Sequence, residues 1–288
     1  MLLAALIFAT MAVCVKFASI HFNSAELVFY RGLISTVFML VLARSTGVRL
    51  STPVPAMHLW RSLLGVFALG SWFYAIAELP LATAMTLNYM SSVWIAAFLV
   101  GGSILLGRNT TQGALVLTVL AGFGGVVMVL RPTLDDNQLF AGLVGLLSGI
   151  GTALAYLQVT ALARAGEPEA RTVFYFALGS MAVGAVALLF SGLSPWPGQA
   201  AWWLLPVGLL ASLGQLCMTR AYSRGPTLLV ANMQYAGIVF AAGYSLLLFG
   251  DRIAPLAWAG MAVIVASGIA ATILRARNVP NAPAEEHT

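Results

Sequence analysis

Two basic side chains, Lys16 and Arg31, lie clearly within long apolar runs of the sequence, away from the run boundaries. A charge is costly to bury in an apolar environment, so an ionisable residue in such a run is a candidate functional group by default. Either cation could bind the carboxylate of a small molecule. Glu26 and Glu78 lie near the ends of apolar runs, and either acid could instead hold one of the cations in a structural ion pair. The pattern favours the structural role for Arg31 and leaves Lys16 as the stronger binding candidate.

Side chains with an amide or a hydroxyl form a second set of candidates within the apolar runs: Ser71, Asn88, Gln158, Gln215 and Gln234. An unpaired amide is costly in an apolar environment, so these groups are expected to face the protein interior. There they could hydrogen-bond to the charged ends of a zwitterion, or join one helix to another. We favour the binding role for Asn88 and Gln234, which are both followed by tyrosine.

Aromatic side chains in the same runs form a third set: Trp72, Tyr89, Trp94, Tyr156 and Tyr235. Rings that line an apolar pocket can stack on a flat apolar molecule. The alternative for each ring is ordinary packing in the interior or against lipid. Tyr89 and Trp94 are the strongest candidates to line a cavity.

The elements that carry these residues are predicted to be membrane helices. The chain is 60% hydrophobic and 8% charged, whereas a soluble domain is about 45–50% apolar and about 25% charged. A membrane helix needs about 20 mostly apolar residues. Ten runs meet this requirement: 2–20, 25–43, 58–77, 81–106, 111–130, 138–163, 170–190, 201–222, 226–249 and 254–274. The sequence therefore predicts an all-α integral membrane protein with ten transmembrane helices.

The two halves of the chain resemble each other. Leu69–Glu78 lines up with Leu213–Tyr222 at an offset of 144 residues, and Asn88-Tyr89 lines up with Gln234-Tyr235 at 146. This indicates one five-helix repeat at 1–131 and a second at 138–275, followed by a disordered cytoplasmic tail at 278–288. An odd number of helices in each half predicts an inverted repeat, a common plan among membrane transporters.

Basic residues predict the orientation. With a cytoplasmic N-terminus, nine basic residues fall inside: Arg44, Arg49, Arg108, Arg164, Arg171, Arg220, Arg224, Arg275 and Arg277. Arg61 lies close to the inside boundary, and only Arg131 and Arg252 fall outside. The positive-inside rule therefore places both termini in the cytoplasm, in a bacterial inner membrane. The net charge of +5 reflects this topology and does not indicate nucleic-acid binding.

Helix breakers occur at equivalent places in the two halves. Pro80 precedes the fourth apolar run, and Gly225-Pro226 precede the ninth. Breaks of this kind mark candidate hinges in transporters.

The chain resembles the EamA family of the drug/metabolite transporter superfamily. The resemblance rests on the five-helix halves, Arg31 in the second helix and the Glu78–Ala84 sequence that begins the fourth helix. It implies a secondary transporter, and the aromatic fourth helix is most similar to YddG-type exporters of aromatic amino acids. Other amino acids, organic cations or nucleosides are the alternative cargoes. The family often has Glu after the fourth helix, where this chain has Gly107-Arg108.

Other classes of function are disfavoured. The three histidines lie outside the middle of the apolar runs, no Asp or Glu lies at mid-run, and no metal or cofactor motif is present, so an enzyme is not predicted. A channel or structural subunit is a remote alternative. The sequence thus predicts a small-molecule exporter that works as a monomer in the lipid bilayer. Without a mid-run carboxylate, we expect downhill transport that does not require proton exchange.

Overall fold

A computed structural model describes residues 1–105, 113–130, 138–225 and 227–277. Within these ranges the chain forms α-helices and one short 3₁₀ helix, Gly198–Trp203, and no β-strand. The α-helices are α1 Leu2–Ala18, α2 Ser24–Thr46, α3 Pro55–Glu78, α4 Leu81–Tyr89, α5 Ser91–Leu105, α6 Gly113–Leu130, α7 Leu139–Arg164, α8 Glu169–Ser191, α9 Leu204–Arg224, α10 Thr227–Met233, α11 Ala236–Leu248 and α12 Pro255–Arg277. The all-α prediction is confirmed for this part of the chain. Gly107-Arg108 and the tail 278–288 lie outside it.

The outer surface of the helical bundle is apolar. Phe190 is 87% exposed and Leu247 is 84% exposed, although these side chains would be buried in a water-soluble fold. Among the described residues, five segments are long and apolar enough to cross a membrane: Ser24–Thr46, Pro55–Glu78, Leu139–Arg164, Glu169–Ser191 and Gly198–Arg224. The surface and the helix lengths both suit a bilayer.

Close helix packing depends on small residues. A β-carbon on Gly32 of α2 would lie 2.8 Å from backbone atoms of Ser180 and Met181 on α8. Gly184 of α8 approaches the backbone of Phe29 on α2 in the same way. Small residues let membrane helices approach and gain van der Waals contact. The main helix pairs are α2 with α8, α6 with α12, α3 with α7 and α1 with α9.

Two of the predicted runs, 81–106 and 226–249, are each divided into two helices. α4 ends at Tyr89 and α5 begins at Ser91, while α10 ends at Met233 and α11 begins at Ala236. The expectation of one continuous helix in each run is wrong at these points, which lie at equivalent places in the two halves. Pro80 and Gly225 mark the earlier boundaries before α4 and α10, and Pro226 lies outside the described residues.

The two ends of the bundle are closed by different contacts. At one end, the α2–α3 connection meets the start of α8, where Arg171 Nε donates to the Arg49 carbonyl at 2.9 Å and Tyr175 Oη donates to the Leu50 carbonyl at 3.0 Å. At the other end, the Glu26 carboxylate accepts hydrogen bonds from the backbone and hydroxyl of Ser194. Each end therefore ties the first half of the chain to the second.

Candidate binding site

A cavity lies at the centre of the bundle, and thirteen residues from α1, α3, α4, α7, α8 and α9 line it. They are Phe8, Arg61, Gly65, Ala68, Leu69, Trp72, Asn88, Tyr89, Thr152, Ala155, Tyr156, Phe176 and Gln215. The volume open to the centres of water molecules is about 50 Å³, which is room for a few waters. A larger molecule does not fit this volume unless the helices separate.

The break between α4 and α5 supplies Asn88 and Tyr89 to the cavity. Asn88 Nδ2 donates to Ser148 Oγ at 3.2 Å and to Thr152 Oγ1 at 3.0 Å, both on α7. A β-carbon at Gly149 would lie 2.6 Å from the Leu87 carbonyl oxygen. Gly149 therefore lets α7 approach the backbone at the end of α4, close enough for the Asn88 amide to hydrogen-bond to side chains on α7.

The second break packs on the first. Gln234 Nε2 donates to Ser91 Oγ at 2.9 Å and to Ser92 Oγ at 2.7 Å, and Ser92 Oγ donates to the Ala231 carbonyl at 2.8 Å. A polar group at a helix break satisfies backbone atoms that a continuous helix would bond internally. The two discontinuous segments are thus joined to each other beside the cavity.

Arg61 brings an ionised group to the cavity wall. Its guanidinium is buried beside Phe176, with its central carbon 4.1 Å from the ring centre, and Nη2 lies 3.5 Å from Gln215 Oε1. Nε and Nη1 have no hydrogen-bond partner among the described residues. Burial of an ion costs several kcal/mol, and a cation–π contact offsets only about 2 kcal/mol. The protein therefore compensates this charge incompletely.

Arg31 places a second guanidinium on the same ring. Its central carbon lies 5.0 Å from the Phe176 ring centre, Nη1 is 3.3 Å from Ser180 Oγ, and Nε has no partner. The salt bridges between described residues involve other groups. Two buried positive charges therefore face one aromatic ring, and neither is paired with a carboxylate in the described part of the chain.

Two further donors at the cavity are unsatisfied. Trp72 Nε1 and Tyr89 Oη are buried without a hydrogen-bond partner in the ranges that the structure describes, and both side chains line the cavity. A buried donor without a partner costs about 1–3 kcal/mol. The cavity can therefore offer hydrogen bonds, a positive charge and aromatic faces to a small molecule. Within the described ranges, no group of three His, Cys, Asp or Glu is placed to hold a metal ion.

The candidates from the sequence separate into two groups. Trp72, Asn88, Tyr89, Tyr156 and Gln215 line the cavity. The others have different surroundings. Ser71 lies on a lateral groove between α2, α3 and α8, Trp94 stacks on Phe98, and Gln158 is half-buried on α7. Gln234 joins the two breaks, and the Tyr235 ring packs at Gly268.

The structure places Lys16 at the end of α3, outside the lining of the central cavity. Its ammonium donates to the carbonyls of Ile76 at 2.8 Å, Ala77 at 3.2 Å and Leu79 at 2.7 Å. These carbonyls belong to the last turn and cap of α3 and have no partner within the helix. Lys16 thus ties α1 to the end of α3, immediately before Pro80, and its donors are already used.

The structural ion pair expected for Arg31 is also wrong. Glu26 bonds to the backbone of Asn23 in a capping box and reaches Ser194, so it caps α2 and closes one end of the bundle. The described salt bridges do not include Glu78. Arg31 instead points to Phe176, because α2 packs closely on α8.

Sequence reasoning missed Arg61 by counting it among the residues near the cytoplasmic boundary. It lies inside the predicted run 58–77, and Gly65 follows it by one turn. A β-carbon at Gly65 would overlap Arg61 Nη1 and lie 2.7 Å from the Phe176 ring. An arginine four residues before a glycine in an apolar run was the available signal.

A polar cluster closes the bundle one turn from Arg61. We call Thr52, His58, Glu167 and Arg171 the Glu167 cluster, in which the carboxylate lies 2.9 Å from Thr52 Oγ1, 2.9 Å from His58 Nε2 and 3.1 Å from Arg171 Nη1. Burial alone would raise the pKa of Glu167. The hydrogen bonds from His58 and Thr52 and the charge of Arg171 outweigh burial and lower this pKa. The cluster therefore holds an ionised carboxylate between the two halves.

Comparisons with known proteins identify the family. A profile of the EamA-like transporter family matches residues 1–131. The pseudopaline exporter CntI of Pseudomonas aeruginosa is 34% identical over 270 residues, which cover 93% of each chain. The riboflavin transporter of Rhizobium johnstonii is 26% identical, over 93% of this chain and 88% of its own.

Structural comparison agrees at the level of the fold. One crystal structure matches with a TM-score of 0.68 and 20% identity over 96% of both chains. The full-length similarity to a transporter at 34% identity carries the assignment, and the central cavity accords with it. The chain belongs to the EamA-like transporter family of membrane proteins.

Proposed function

We propose that the protein exports small metabolites by alternating access through the central cavity, with aromatic amino acids as the first candidate cargo. The observation that carries the proposal is the cavity at the α4–α5 break, where aromatic rings surround unsatisfied donors on Arg61, Trp72 and Tyr89. Discontinuous helices of transporters typically meet at the cargo site. A flat cargo would stack on the rings, and its polar end would meet the donors.

The proposed architecture is ten transmembrane segments in two inverted five-helix repeats, 1–131 and 138–275. The helix contacts support it. In two repeats, α1, α2, α3 and α6 correspond to α7, α8, α9 and α12. Exchange of the halves then turns the contact of α3 with α7 into that of α9 with α1, and it leaves the contacts of α2 with α8 and of α6 with α12 unchanged. The positive-inside bias supports cytoplasmic termini in a bacterial inner membrane. One chain contains both halves, so we propose a functional monomer without a cofactor. A reporter fused after Thr288 tests the orientation.

The two closed ends provide the gates of this mechanism. In the proposed orientation, the Glu167 cluster faces the cytoplasm and the Glu26–Ser194 contact faces the other side. Cargo would enter when the Glu167 cluster separates and would leave when the Glu26 contact separates. The small volume of the cavity then corresponds to a conformation in which both ends are closed.

A second candidate cargo is a larger metabolite of the kind exported by the pseudopaline exporter CntI. The specific observation in its favour is the 34% identity along nearly the whole chain. Such a cargo would need the same polar contacts but a larger opening of the cavity.

Counterflow into liposomes with purified protein tests the proposal. Liposomes loaded with phenylalanine, tryptophan, another amino acid or pseudopaline are each diluted into the same compound in labelled form, and uptake by exchange is measured. Trp72→Leu should reduce exchange at least tenfold, whereas Trp94→Leu, which removes a tryptophan outside the cavity lining, should have a small effect. The aromatic cargo is refuted if exchange occurs only with other compounds, and the exporter itself is refuted if none of them exchanges.

A further inference from the structure

Arg61 and its surroundings have the features of an anion-binding subsite. We infer that Arg61 binds a carboxylate group of the cargo through Nη1, and that Arg31, which contacts the same Phe176 ring, strengthens this subsite. The inference rests on the proposed function, since it names the chemical group that the exporter recognises. It assigns a role to two arginines whose partners within the described chain do not neutralise them.

The geometry leaves the guanidinium available to a ligand. Nη2 is held 3.5 Å from Gln215 Oε1, while Nε and Nη1 carry hydrogens that no atom in the described part of the chain accepts. Gly65 leaves space for Nη1 on the cavity side of α3. Nη1 and Nη2 share one edge of the guanidinium, so a carboxylate that bonds to Nη1 can also accept the second Nη2 hydrogen, whereas Nε–H points to a different edge. Gln215 would fix the orientation of the Arg61 guanidinium, and the ligand would bind at the edge that Gln215 does not contact.

The surroundings favour a carboxylate attached to an apolar body. Phe8, Trp72, Tyr156 and Phe176 supply most of the ring surface around the subsite. A small inorganic anion would leave these surfaces without contact, whereas an organic acid would cover them. The cation–π contacts with Phe176 hold both guanidiniums in place without occupying their hydrogens.

Arg31 is a positioning residue in this scheme. It donates to Ser180 Oγ and lies against Phe176, and it is not among the residues that line the cavity. Its charge nevertheless increases the positive potential at Arg61, since both groups contact one ring in a region of low dielectric.

Equilibrium binding of labelled benzoate to the purified full-length protein tests the inference. Benzoate is the smallest probe with one ring and one carboxylate, and benzamide is its uncharged match. Wild type should bind benzoate and bind benzamide at least tenfold more weakly. Arg61→Met should reduce benzoate affinity by about 10- to 100-fold, as expected for loss of a charged hydrogen bond, while leaving benzamide affinity unchanged.

A glycine variant guards against misfolding of Arg61→Met. The β-carbon of Gly65→Ala overlaps Nη1 of Arg61 and lies 2.7 Å from the Phe176 ring, so both side chains must shift. Benzoate affinity should fall in protein that thermal unfolding in detergent shows to be folded. Gly70→Ala is the matched control on the same helix, because its β-carbon meets only Val28 Cγ2 at 3.9 Å. Its affinity should equal that of wild type.

The outcomes separate this inference from the proposed function. Benzoate binding that depends on Arg61, without counterflow of amino acids, would retain the subsite and reject the proposed cargo. Counterflow with equal binding of benzoate and benzamide, or with full affinity in Arg61→Met and Gly65→Ala, would reject the subsite. Displacement of benzoate by chloride at equal concentration would also reject it, because the site would then be unspecific for anions.

Discussion

The Glu167 cluster should act as a latch, and Glu167→Gln should open it. The substitution keeps an acceptor for Thr52 but removes the charge that His58 and Arg171 face at 2.9 and 3.1 Å. Hydrogen bonds to a charged group contribute about 1 kcal/mol more than neutral ones. Loss of one or two such contributions destabilises the closed end by about 1–2 kcal/mol. The population open at this end should rise about 5- to 30-fold.

Thiol labelling can measure this population. Ala155→Cys places a thiol on the cavity wall after Cys14 and Cys217 are replaced by serine. A membrane-impermeant maleimide applied to the cytoplasmic face should label this site 5- to 30-fold faster in Glu167→Gln. The matched control is Glu169→Gln, which removes a partly exposed pair with Arg224 and should change the rate less than about fivefold, since exposed pairs contribute about 0–1 kcal/mol.

Two results would refute this reasoning. Equal labelling rates in Glu167→Gln and Glu169→Gln would show that the cluster does not hold the end closed. Faster labelling only from the opposite face would refute the proposed orientation.

The stability of the end closed by the Glu167 cluster should fall at low pH. Because the pKa of Glu167 lies below its ordinary value of 4.5, the carboxylate stabilises the closed end fully above that value. This contribution is lost as the pH falls through the lowered pKa.

Three further predictions concern other parts of the structure. Lys16→Met removes three donors from the end of α3 and should lower the free energy of unfolding by about 2–4 kcal/mol, measured by thermal unfolding in detergent. Lys16→Gln, which keeps one amide donor, should lose less, and equal stability of all three proteins would contradict the capping role. Gly149→Ala should abolish counterflow because its β-carbon meets the Leu87 carbonyl at 2.6 Å, while Gly101→Ala, which meets nothing within 4 Å, should remain active. An imposed pH gradient should not drive cargo accumulation in liposomes, because the cavity lining contains no Asp or Glu, and gradient-driven accumulation would reject this expectation.

The sequence predicted the features that depend on a single helix. Apolar runs of about 20 residues predicted the helical segments, since a bilayer fixes their length and composition. The breaks at Met90 and at Gln234-Tyr235 could not be predicted from local signals. Neither break contains proline or glycine, and the second is stabilised by Ser91 and Ser92 from the other half.

The charged residues show why site prediction was harder. Lys16 and Arg31 were correctly recognised as unusual, but their partners come from α3 and α8 and are distant in sequence. Arg61 was missed because its distance from the helix start suggested exposure to the cytoplasm. Packing of α3 against α7 and α8, together with the space at Gly65, directs the Arg61 side chain towards the cavity.

The positions of His58 and Arg61 connect cargo binding to the latch. These residues are three apart on α3, so they lie on the same face about one turn from each other. An empty cavity leaves the Arg61 charge uncompensated beside the contact between His58 and Glu167. A bound carboxylate would neutralise that charge and remove the cost of closing the cavity around it. The loaded protein should therefore pass through the closed conformation more readily than the empty one, which favours exchange of cargo over return without it.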